Sequence, residues 1–233
     1  MDQASYGQFC PVAMAAEIVC TRWTALVLRE LLCGGRRFND LRKGVPRMSP
    51  TLLSKRLKEL EDAKIIRHVK DARTGASEYV LTEAGEDLRP IIMAMGNWGQ
   101  RWIDSNLSLR NLDPSLLMWD MRRNINPAPL PKRRVTVRFT FPEAAASQRD
   151  WWLVVEPDGG NDLCQVDPGH DIDLFVSATL RALTAVWMGH SSLAEAEEKR
   201  LVEIVGDAGL ARTMQAWLGL SVFARQGPAG RAA

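Results

Sequence analysis

The chain is poor in the residues and patterns that mark most metalloproteins, secreted proteins and enzymes. It has 4 cysteines and 3 histidines in 233 residues, with no CxxC pair and no Cys/His cluster, so neither a zinc site nor a disulfide framework is expected. His68, His170 and His190 have no partner at metal-ligand or catalytic-triad spacing. A P-loop and a dinucleotide-binding glycine pattern are also missing. We therefore expect no enzyme activity, no metal and no cofactor.

Long apolar runs are missing as well. No uncharged apolar stretch approaches the length that a membrane span needs. The first residues, Met1 and Asp2, lack the basic start of a signal peptide, and Glu17 interrupts the first apolar run. Scattered cysteines suit a reducing compartment. A cytoplasmic protein without membrane insertion is the expectation.

The charges that are present are divided unequally along the chain. The net charge is only +2, yet Arg36 to Arg73 holds 12 Lys or Arg against 5 Asp or Glu. From Pro142 to Leu210 the balance reverses, with 4 Lys or Arg against 13 Asp or Glu. Grouped cations attract a phosphate backbone because their binding releases condensed counterions. The N-terminal half is therefore predicted to bind DNA, and the acidic half to have another role.

The basic segment has the pattern of a helix-turn-helix. A short helix over Phe38–Val45 and a tight turn at Pro46–Met48 precede a longer helix over Ser49–Ala63. Ser49 is a good N-cap for the longer helix, and Pro50 occupies the first helical position, where its missing N–H is harmless. This longer helix is the predicted recognition helix.

A β-hairpin follows the predicted recognition helix. Its strands cover Ile65–Lys70 and Glu78–Leu81, and the Asp71–Gly75 tip supplies Asp and Gly for the turn. Cationic side chains on this hairpin could reach phosphates or a minor groove. The alternative is a charged hairpin that only faces solvent. Helices and hairpin together predict a winged helix-turn-helix domain.

The residues predicted to contact DNA lie on and around the recognition helix. Such a helix inserts its N-terminal end into the major groove, so Thr51, Ser54 and Lys55 are expected at base edges. Lys58 is expected nearer the DNA backbone. The complete predicted set is Arg36, Arg37, Arg47, Ser49, Thr51, Ser54, Lys55, Lys58, Arg67, Lys70 and Arg73.

Several short motifs lie within the basic segment and on both sides of it. They are Phe9-Cys-Pro-Val-Ala13, Arg22-Trp23, Leu28-Arg-Glu-Leu31, Arg37-Phe38, Leu41-Arg42, Ser49-Pro-Thr-Leu-Leu-Ser-Lys-Arg-Leu57, Ile65-Ile66 and Leu81-Thr-Glu-Ala-Gly85. Together they resemble the HxlR-type winged helix-turn-helix transcriptional regulators of bacteria, over about Phe9 to Trp102. The resemblance implies a dimer that binds a two-fold-related operator.

The segment after the hairpin carries more apolar surface than one small domain needs. It starts at Thr82, a predicted N-cap, and Pro90 is expected to kink or tighten the helix. The predicted homodimer residues are Leu88, Ile92, Met95, Trp98 and Trp102. The first helix, Pro11–Val19, is expected to join this interface. The alternative is that these side chains pack back on the winged domain.

Cys10 precedes Pro11 at a predicted helix N-terminus, where unpaired N–H groups lower the pKa of a thiol. Some HxlR-type regulators resemble redox switches through a cysteine at this motif position, and Cys10 matches it. A packing role and a thiol-sensing role are both open for this residue.

Composition predicts two domains in a chain of α+β class. Residues 1–107 form the winged helix-turn-helix domain, 108–134 a linker with a short helix, 135–223 a second α+β domain, and 224–233 a disordered tail. In the second domain Val135, Val137, Phe139 and Phe141 alternate with polar residues, as in a strand with one buried face.

The second domain has a resemblance of its own. Its motifs are Asp171-Ile-Asp-Leu-Phe-Val-Ser177, Leu183-Thr-Ala-Val-Trp-Met-Gly189, Ser192-Leu-Ala-Glu-Ala196 and Ile204-Val-Gly-Asp207. They resemble the sterol carrier protein type 2-like domain, which implies helices and a sheet around an apolar cavity. The predicted lining is Phe139, Trp152, Phe175, Trp187, Met188, Met214 and Trp217. The alternative is a filled core without a cavity.

These patterns and resemblances predict a dimeric bacterial transcriptional regulator, expected to be a repressor, that binds double-stranded operator DNA. Its C-terminal domain is expected either to bind an apolar small-molecule effector or to stabilise the dimer. Two alternatives are kept. One is an apolar-ligand carrier or interaction protein that uses the winged domain for protein contacts. The other is a regulator that senses redox state through Cys10.

Overall fold

The computed structural model describes residues 5–71, 74–104, 106 and 109–224. The chain divides into an N-terminal unit that ends at Met95 and a C-terminal unit that begins at Gly96. The division therefore falls earlier than the predicted boundary after residue 107. The segment predicted as a linker belongs to the C-terminal unit, because Leu112, Ile125 and Leu130 pack against that unit's core.

The N-terminal unit is a helical domain with one hairpin. Its elements are α1 (Pro11–Val19), α2 (Thr24–Leu32), α3 (Phe38–Gly44), α4 (Pro50–Asp62), β1 (Ile66–Lys70), β2 (Ser77–Leu81), α5 (Glu83–Glu86) and the first half of α6 (Arg89–Trp102). Strands β1 and β2 pair antiparallel, with Ile66 opposite Leu81. The helix-turn-helix and the hairpin lie where the sequence pattern places them.

The core of this unit explains the position of α4. Its leucines at helical spacing, Leu53, Leu57 and Leu60, are almost completely buried. They share one apolar cluster with Val27 and Leu28 of α2. Helix α4 is therefore fixed by its inner face, and its opposite face is exposed.

The helix predicted from Thr82 onward is two helices. The Thr82 hydroxyl accepts the Gly85 N–H and caps the short α5. Helix α6 then begins at Arg89, so Pro90 stands in its first turn. A proline costs no hydrogen bond at that position. Pro90 thus helps to start α6, which corrects the expectation of a kink.

The C-terminal unit combines a five-stranded sheet with helices. Its elements are α7 (Pro114–Arg123), β3 (Val135–Thr140), α8 (Ala146–Arg149), β4 (Asp150–Val155), β5 (Asn161–Cys164), β6 (Leu174–Ala178), α9 (Leu180–Trp187), α10 (Leu193–Glu198), β7 (Val202–Gly206), α11 (Ala208–Arg212) and α12 (Met214–Leu218). The strand order is β5-β4-β3-β6-β7, with β3 and β6 parallel and the other neighbours antiparallel. Helices α11 and α12 are separated at Thr213.

Helices cover one face of this sheet. Alternate residues of β3, namely Val135, Val137 and Phe139, face a core that also holds Met118 of α7 and Met214 of α12. The period-two alternation of a strand places these residues on one side. This face is the core of the C-terminal unit.

Among the helices of the described residues no single one is long and apolar enough to cross a membrane, although α1 and α2 together, bent by 81°, pass that test.

The C-terminal tail was predicted to be disordered from residue 224 onward. Ala224 lies in a turn and donates its N–H to the Ser221 carbonyl at 2.9 Å. The rest of the predicted disordered tail, residues 225–233, lies outside the described residues.

Candidate nucleic-acid interface

Two adjacent charged residues on α2 position the helix-turn-helix. The Arg29 guanidinium pairs with the Glu30 carboxylate at 2.7 Å and also donates to the Gly44 carbonyl at 2.9 Å. Glu30 is only 1% exposed. Breaking a buried pair leaves an uncompensated charge, so this arrangement is costly to disturb. It fixes the end of α3 against α2.

Helix α4, the predicted recognition helix, starts as its sequence predicts. The Ser49 hydroxyl accepts the Leu52 N–H at 3.3 Å, and Pro50 occupies the first helical position. This cap satisfies one of the donors that a helix N-terminus leaves unpaired. The side chain of Ser49 is therefore used for capping, although it was predicted to contact DNA.

The outer face of α4 is exposed as predicted. Thr51, Ser54, Lys55 and Lys58 all have exposed side chains. The two lysines make salt bridges one turn further along, Lys55 with Glu59 at 3.9 Å and Lys58 with Asp62 at 3.2 Å. Exposed pairs of this kind stabilise little and exchange readily with a phosphate partner. The N-terminal part of the face is small and polar, and the cations follow it.

Arg56 is a positioning residue that the sequence pattern did not reveal. Its Nε donates to the Arg22 carbonyl at 3.0 Å, and its guanidinium pairs with Glu59. Only 11% of its side chain is exposed. Arg56 therefore ties α4 to the turn before α2. The sequence does contain a signal for this role, because Arg56 lies beside the buried leucines of α4 at helical spacing.

Two arginines predicted to contact DNA lie just before α3 and form salt bridges with the hairpin. Arg36 and Arg37 lie 3.8 and 3.6 Å from the carboxylate of Glu78 on β2. The Tyr79 N–H also donates to the Arg36 carbonyl at 2.8 Å. Both arginines remain more than half exposed. They can meet a phosphate, but each must share its charge with Glu78.

Side chains on the two strands of the hairpin contact one another. The His68 and Tyr79 rings stack with centroids 4.7 Å apart, and the Ser77 hydroxyl lies 2.7 Å from the His68 Nε2. Burial, helped by the charge of Glu61, raises the pKa of Tyr79 above its usual value. His68 is thus a structural residue of the wing.

The cations of the hairpin are only partly described. Arg67 and Lys70 are exposed on β1, and Arg47 is exposed before α4. The Asp71 carboxylate accepts the Thr74 N–H at 2.6 Å and shapes the tip. The predicted contact Arg73 lies outside the described residues.

Helix α6 carries an exposed apolar stripe. Ile91, Met95, Trp98 and Trp102 recur at helical spacing and are each about half exposed or more. Apolar residues in such a row mark an interaction surface. These four side chains are here called the α6 stripe.

Two of the predicted dimer residues do not belong to this stripe. Ile92 is 7% exposed and lies in the core of the N-terminal unit, and Leu88 packs against that same core. Ile92 therefore stabilises its own subunit, which corrects its assignment to a dimer interface. Ile91, the adjacent residue, has the exposure that was expected of Ile92.

The first helix adds further exposed apolar residues in the N-terminal unit. Phe9, Val12 and Met14 are all exposed, and Phe9 is almost completely so. Cys10 stands between them as the N-cap residue of α1. The backbone N–H groups of Ala13 and Val12 lower the pKa of its thiol.

Most of the predicted ligand residues lie in the buried core of the C-terminal unit. Phe139, Trp187, Met214 and Trp217 are at most 2% exposed and belong to one contiguous apolar cluster, with Met188 packed against it. The indole N–H of Trp187 donates to Asp120, and that of Trp217 to the Leu210 carbonyl. A side chain that is packed and hydrogen-bonded on all sides stabilises the core.

The other two predicted ligand residues lie on the opposite face of the sheet. Trp152 pairs in register with Arg138, which in turn pairs with Phe175. Trp151 is the neighbour that faces the core, and Phe175 is 43% exposed. Trp152 and Phe175 are therefore not part of a common lining with Phe139, which corrects the prediction.

A cavity of about 290 Å³ lies elsewhere in this unit. It is formed by the Pro-rich segment from Asn126 to Arg133 and the turn from Val155 to Gly159. The predicted ligand residues are not among its lining residues. Its walls combine the charged residues Lys132, Glu156 and Asp158 with apolar ones such as Pro127 and Leu130, so it is a cleft of mixed polarity.

A helix-turn-helix with a basic outer face and a β-hairpin beside it defines a winged helix-turn-helix DNA-binding domain. Residues 18–107 match the model of the HxlR-like helix-turn-helix family. The chain is 38% identical to the HTH-type transcriptional regulator YdeP of Bacillus subtilis over 96 residues, which cover 41% of this chain and 75% of YdeP. It is 37% identical to YvaP of the same organism over 99 residues, 42% of this chain and 92% of YvaP. The chain therefore belongs to the HxlR-like helix-turn-helix family.

Solved structures give similar matches over the same share of the chain. One is the reduced form of the transcriptional regulator YodB from B. subtilis, with 30% identity and a TM-score of 0.35, covering 40% of this chain and 93% of YodB. Another is the redox regulator HypR in its reduced form, with 29% identity and a TM-score of 0.36, covering 39% of this chain and 91% of HypR. The family model and the two curated relatives make the N-terminal part of the chain an HxlR-type transcriptional regulator domain.

Proposed function

We propose that this protein is a dimeric transcriptional repressor that binds a two-fold-related operator through α4 and the β1–β2 wing. The observation that carries the proposal is the exposed outer face of α4, polar at its start and cationic further on, on a helix whose inner face is fixed in a core. A rigid helix with such a face suits insertion into a major groove.

Each predicted contact has a distinct role in this proposal. Thr51, Ser54 and Lys55 would read base edges, because the start of a recognition helix lies deepest in the groove. Lys58 and Arg47 would neutralise phosphates. The other exposed cations proposed to neutralise phosphates, Arg36, Arg37, Arg67 and Lys70, surround α4 in the sequence. Contacts of this second kind hold the protein in register but do not select a sequence.

Ser49 has a different proposed role. Its hydroxyl is already the acceptor of the Leu52 N–H. We therefore assign it to holding the first turn of α4 in place, so that Thr51 and Ser54 present their side chains correctly. Its contribution to DNA affinity would be indirect.

Dimerisation is proposed to use the α6 stripe together with the exposed apolar residues of α1. A second copy of the chain is the occupant that a two-fold operator requires, because each half-site needs one recognition helix. Tryptophan is enriched at the energetic centres of interfaces. Trp98 and Trp102 are therefore the expected anchors of the dimer.

The C-terminal unit is proposed to be a sterol carrier protein type 2-like domain that responds to an apolar small molecule. Its five-stranded sheet with helices on one face supports that likeness. Phe139 and Trp217 are buried in the core, so the proposed ligand would lie between the helices and the sheet. An effector of this kind acts only if it binds the DNA-incompetent arrangement more tightly.

A second candidate function is redox regulation through Cys10. The observation that favours it is the lowered pKa of this thiol, which the N–H groups of Ala13 and Val12 cause. A thiolate is the form that reacts with oxidants and disulfides. Cys10 lies directly beside Phe9, so its oxidation would change the α1 surface proposed for the dimer.

The DNA-binding proposal is tested by removing two cations from α4. Lys55→Ala combined with Lys58→Ala should weaken operator binding at least about tenfold and reduce the salt dependence by about two phosphate contacts. The matched control is Lys132→Ala combined with Lys199→Ala, which removes the same charge from exposed positions of the C-terminal unit. Fluorescence anisotropy with labelled duplexes at several salt concentrations gives both quantities.

Two outcomes would contradict the proposal. If the α4 variant binds DNA as tightly as the unmodified protein, the recognition helix has been misplaced. If both variants weaken binding equally, only total charge matters and no interface on α4 is supported. An apolar-ligand carrier that uses its winged domain for protein contacts would give no sequence-selective binding at all.

A further inference from the structure

One side of the second half of α6 is covered by the last described residues of the C-terminal unit. Gly96 faces the ring of Phe223 so closely that a Cβ at position 96 would overlap it. One turn later the Gln100 side chain donates from Nε2 to the Met188 carbonyl at 2.9 Å, and Gln100 is buried. Positions four apart are neighbours on a helix, so both contacts lie on one side of α6.

Both groups that contact α6, the Phe223 ring and the Met188 carbonyl, are connected to the C-terminal end of α9. Its last residue, Trp187, accepts the Ser221 N–H at 2.9 Å on its carbonyl, and Ser221 is buried. The next carbonyl, that of Met188, accepts Gln100. Carbonyls at a helix C-terminus have no partner within their own helix. Here one of them holds α6 and the other holds the segment that carries Phe223.

The opposite side of α6 carries its exposed apolar residues. At about 100° per residue, Trp98 and Trp102 point about 160° away from Gly96 and Gln100 respectively. Phe223 and Met188 therefore contact one side of the second half of α6, and Trp98 and Trp102 are exposed on the other side. A displacement on the packed side would change how the stripe is presented.

We propose that this contact is a regulatory latch through which the C-terminal unit sets the affinity of the protein for DNA. The α6 latch is defined by Gly96, Gln100, Met188 and Phe223. The proposal rests on the proposed function, in which the α6 stripe pairs two subunits on an operator. In the closed arrangement the Phe223 ring lies on Gly96 and the second half of α6 is held. In the open arrangement the ring is released and operator affinity falls.

Trp187 connects the latch to the core of the C-terminal unit, so a ligand bound in that core could act on the latch. Trp187 is 2% exposed and packs in the core of the C-terminal unit, while its carbonyl holds Ser221. Any apolar molecule that shifts the last turn of α9 would move Ser221 and Gln100 together. Two sites are coupled only if the ligand favours one arrangement of the element between them. The latch is that element.

Two glycines on α6 allow a matched test. Gly96→Ala should displace the Phe223 ring and open the latch. Gly99→Ala adds the same methyl group to the same helix, but its Cβ would meet only Ile103 Cδ1, at 3.7 Å. Both substitutions change helix propensity equally, so a difference between them reports the latch. Phe223→Ala opens the latch without adding any atom.

The full-length protein and its variants would be titrated against labelled DNA from upstream of its own gene. The dissociation constant should rise about tenfold for Gly96→Ala and for Phe223→Ala, within the range of ordinary allosteric coupling. It should stay unchanged for Gly99→Ala. The double variant should bind like Phe223→Ala alone, because removal of the ring makes room for the methyl group.

The outcomes separate the latch from the function on which it rests. If the unmodified protein binds no sequence selectively, the proposed function and the latch both fail. If it binds selectively and Phe223→Ala binds equally well, the latch alone is overturned. Should Gly96→Ala not fold, as judged by circular dichroism, Phe223→Ala and Gln100→Leu decide the question. Gln100→Leu removes the bond to the Met188 carbonyl and is expected to weaken binding in the same direction.

Discussion

The carboxylate of Glu30 lies against the backbone of Gly44, so that a Cβ at position 44 would overlap it. Because Arg29 pairs with the same carboxylate and donates to the Gly44 carbonyl, three residues join α2 to the end of α3. The turn before α4 begins directly after this contact. The orientation of α4, the proposed recognition helix, thus depends on a buried carboxylate.

Replacement of Gly44 by alanine should therefore destabilise the N-terminal unit. The added methyl group has to displace the Glu30 carboxylate from its buried pair, and overpacking of this kind costs about 1–3 kcal/mol. Urea unfolding followed by circular dichroism measures the loss. Gly99→Ala, where space is available, is the control. Equal unfolding midpoints for the Gly44→Ala variant and the unmodified protein would show that the Glu30–Gly44 contact is not tight.

Removal of the two tryptophans of the α6 stripe should separate the dimer. Trp98→Ala with Trp102→Ala deletes the largest exposed apolar side chains of α6, and interface anchors of this kind cost about 2 kcal/mol or more each. Sedimentation velocity should show a dimer for the unmodified protein and a shift toward monomer for the double variant. Val166→Ala, at a side chain 79% exposed in the C-terminal unit, should leave the mass unchanged. A monomer in the unmodified protein would disprove the proposed pairing.

Cys10 should react with alkylating reagents at lower pH than an ordinary thiol. The N–H groups of Ala13 and Val12 stabilise its thiolate and lower its pKa, and only the thiolate is nucleophilic. The measurement is the iodoacetamide rate against pH in a variant with Ser at Cys20, Cys33 and Cys164. The midpoint should lie below that of a model thiol, near pH 8.5. A midpoint at or above the model value would remove the basis for redox sensing.

The buried position of Met214 in the core of the C-terminal unit predicts a large cost for truncating it. This side chain is completely buried, and Met→Ala at such a site costs about 2–5 kcal/mol because a cavity remains. Denaturant unfolding of the Met214→Ala variant measures it, with Val166→Ala as an exposed control expected within about 0.5 kcal/mol. A cost below about 1 kcal/mol for Met214→Ala would argue for space around it, as an apolar ligand cavity requires.

Local sequence signals were sufficient for the helix-turn-helix. Ser49 and Pro50 mark the start of α4 by capping chemistry, and the leucine stripe that begins at Leu53 marks its inner face. Both signals depend only on residues within one element. For the same reason the exposed face, and with it Thr51 and Lys55, could be assigned before any tertiary structure was known.

Residues whose role depends on a second element were predicted less well. Helical periodicity places Ile91 and Ile92 on neighbouring parts of α6, but only the packing of the N-terminal core decides that Ile92 is the buried one. Trp151 and Trp152 pose the same question on a strand, where alternation allows only one to face the core. Arg56 was missed because its partner, the Arg22 carbonyl, is a backbone group 34 residues away.

Equilibrium binding of the full-length protein decides whether the exposed face of α4 reads DNA. Fluorescence anisotropy would compare DNA from upstream of its own gene with a scrambled duplex of the same composition, at several salt concentrations. If α4 reads DNA, we expect tight binding to the first duplex, at least about a thousandfold weaker binding to the second, and a steep loss of affinity with salt. Equal and weak binding to both duplexes would show that α4 does not read a DNA sequence.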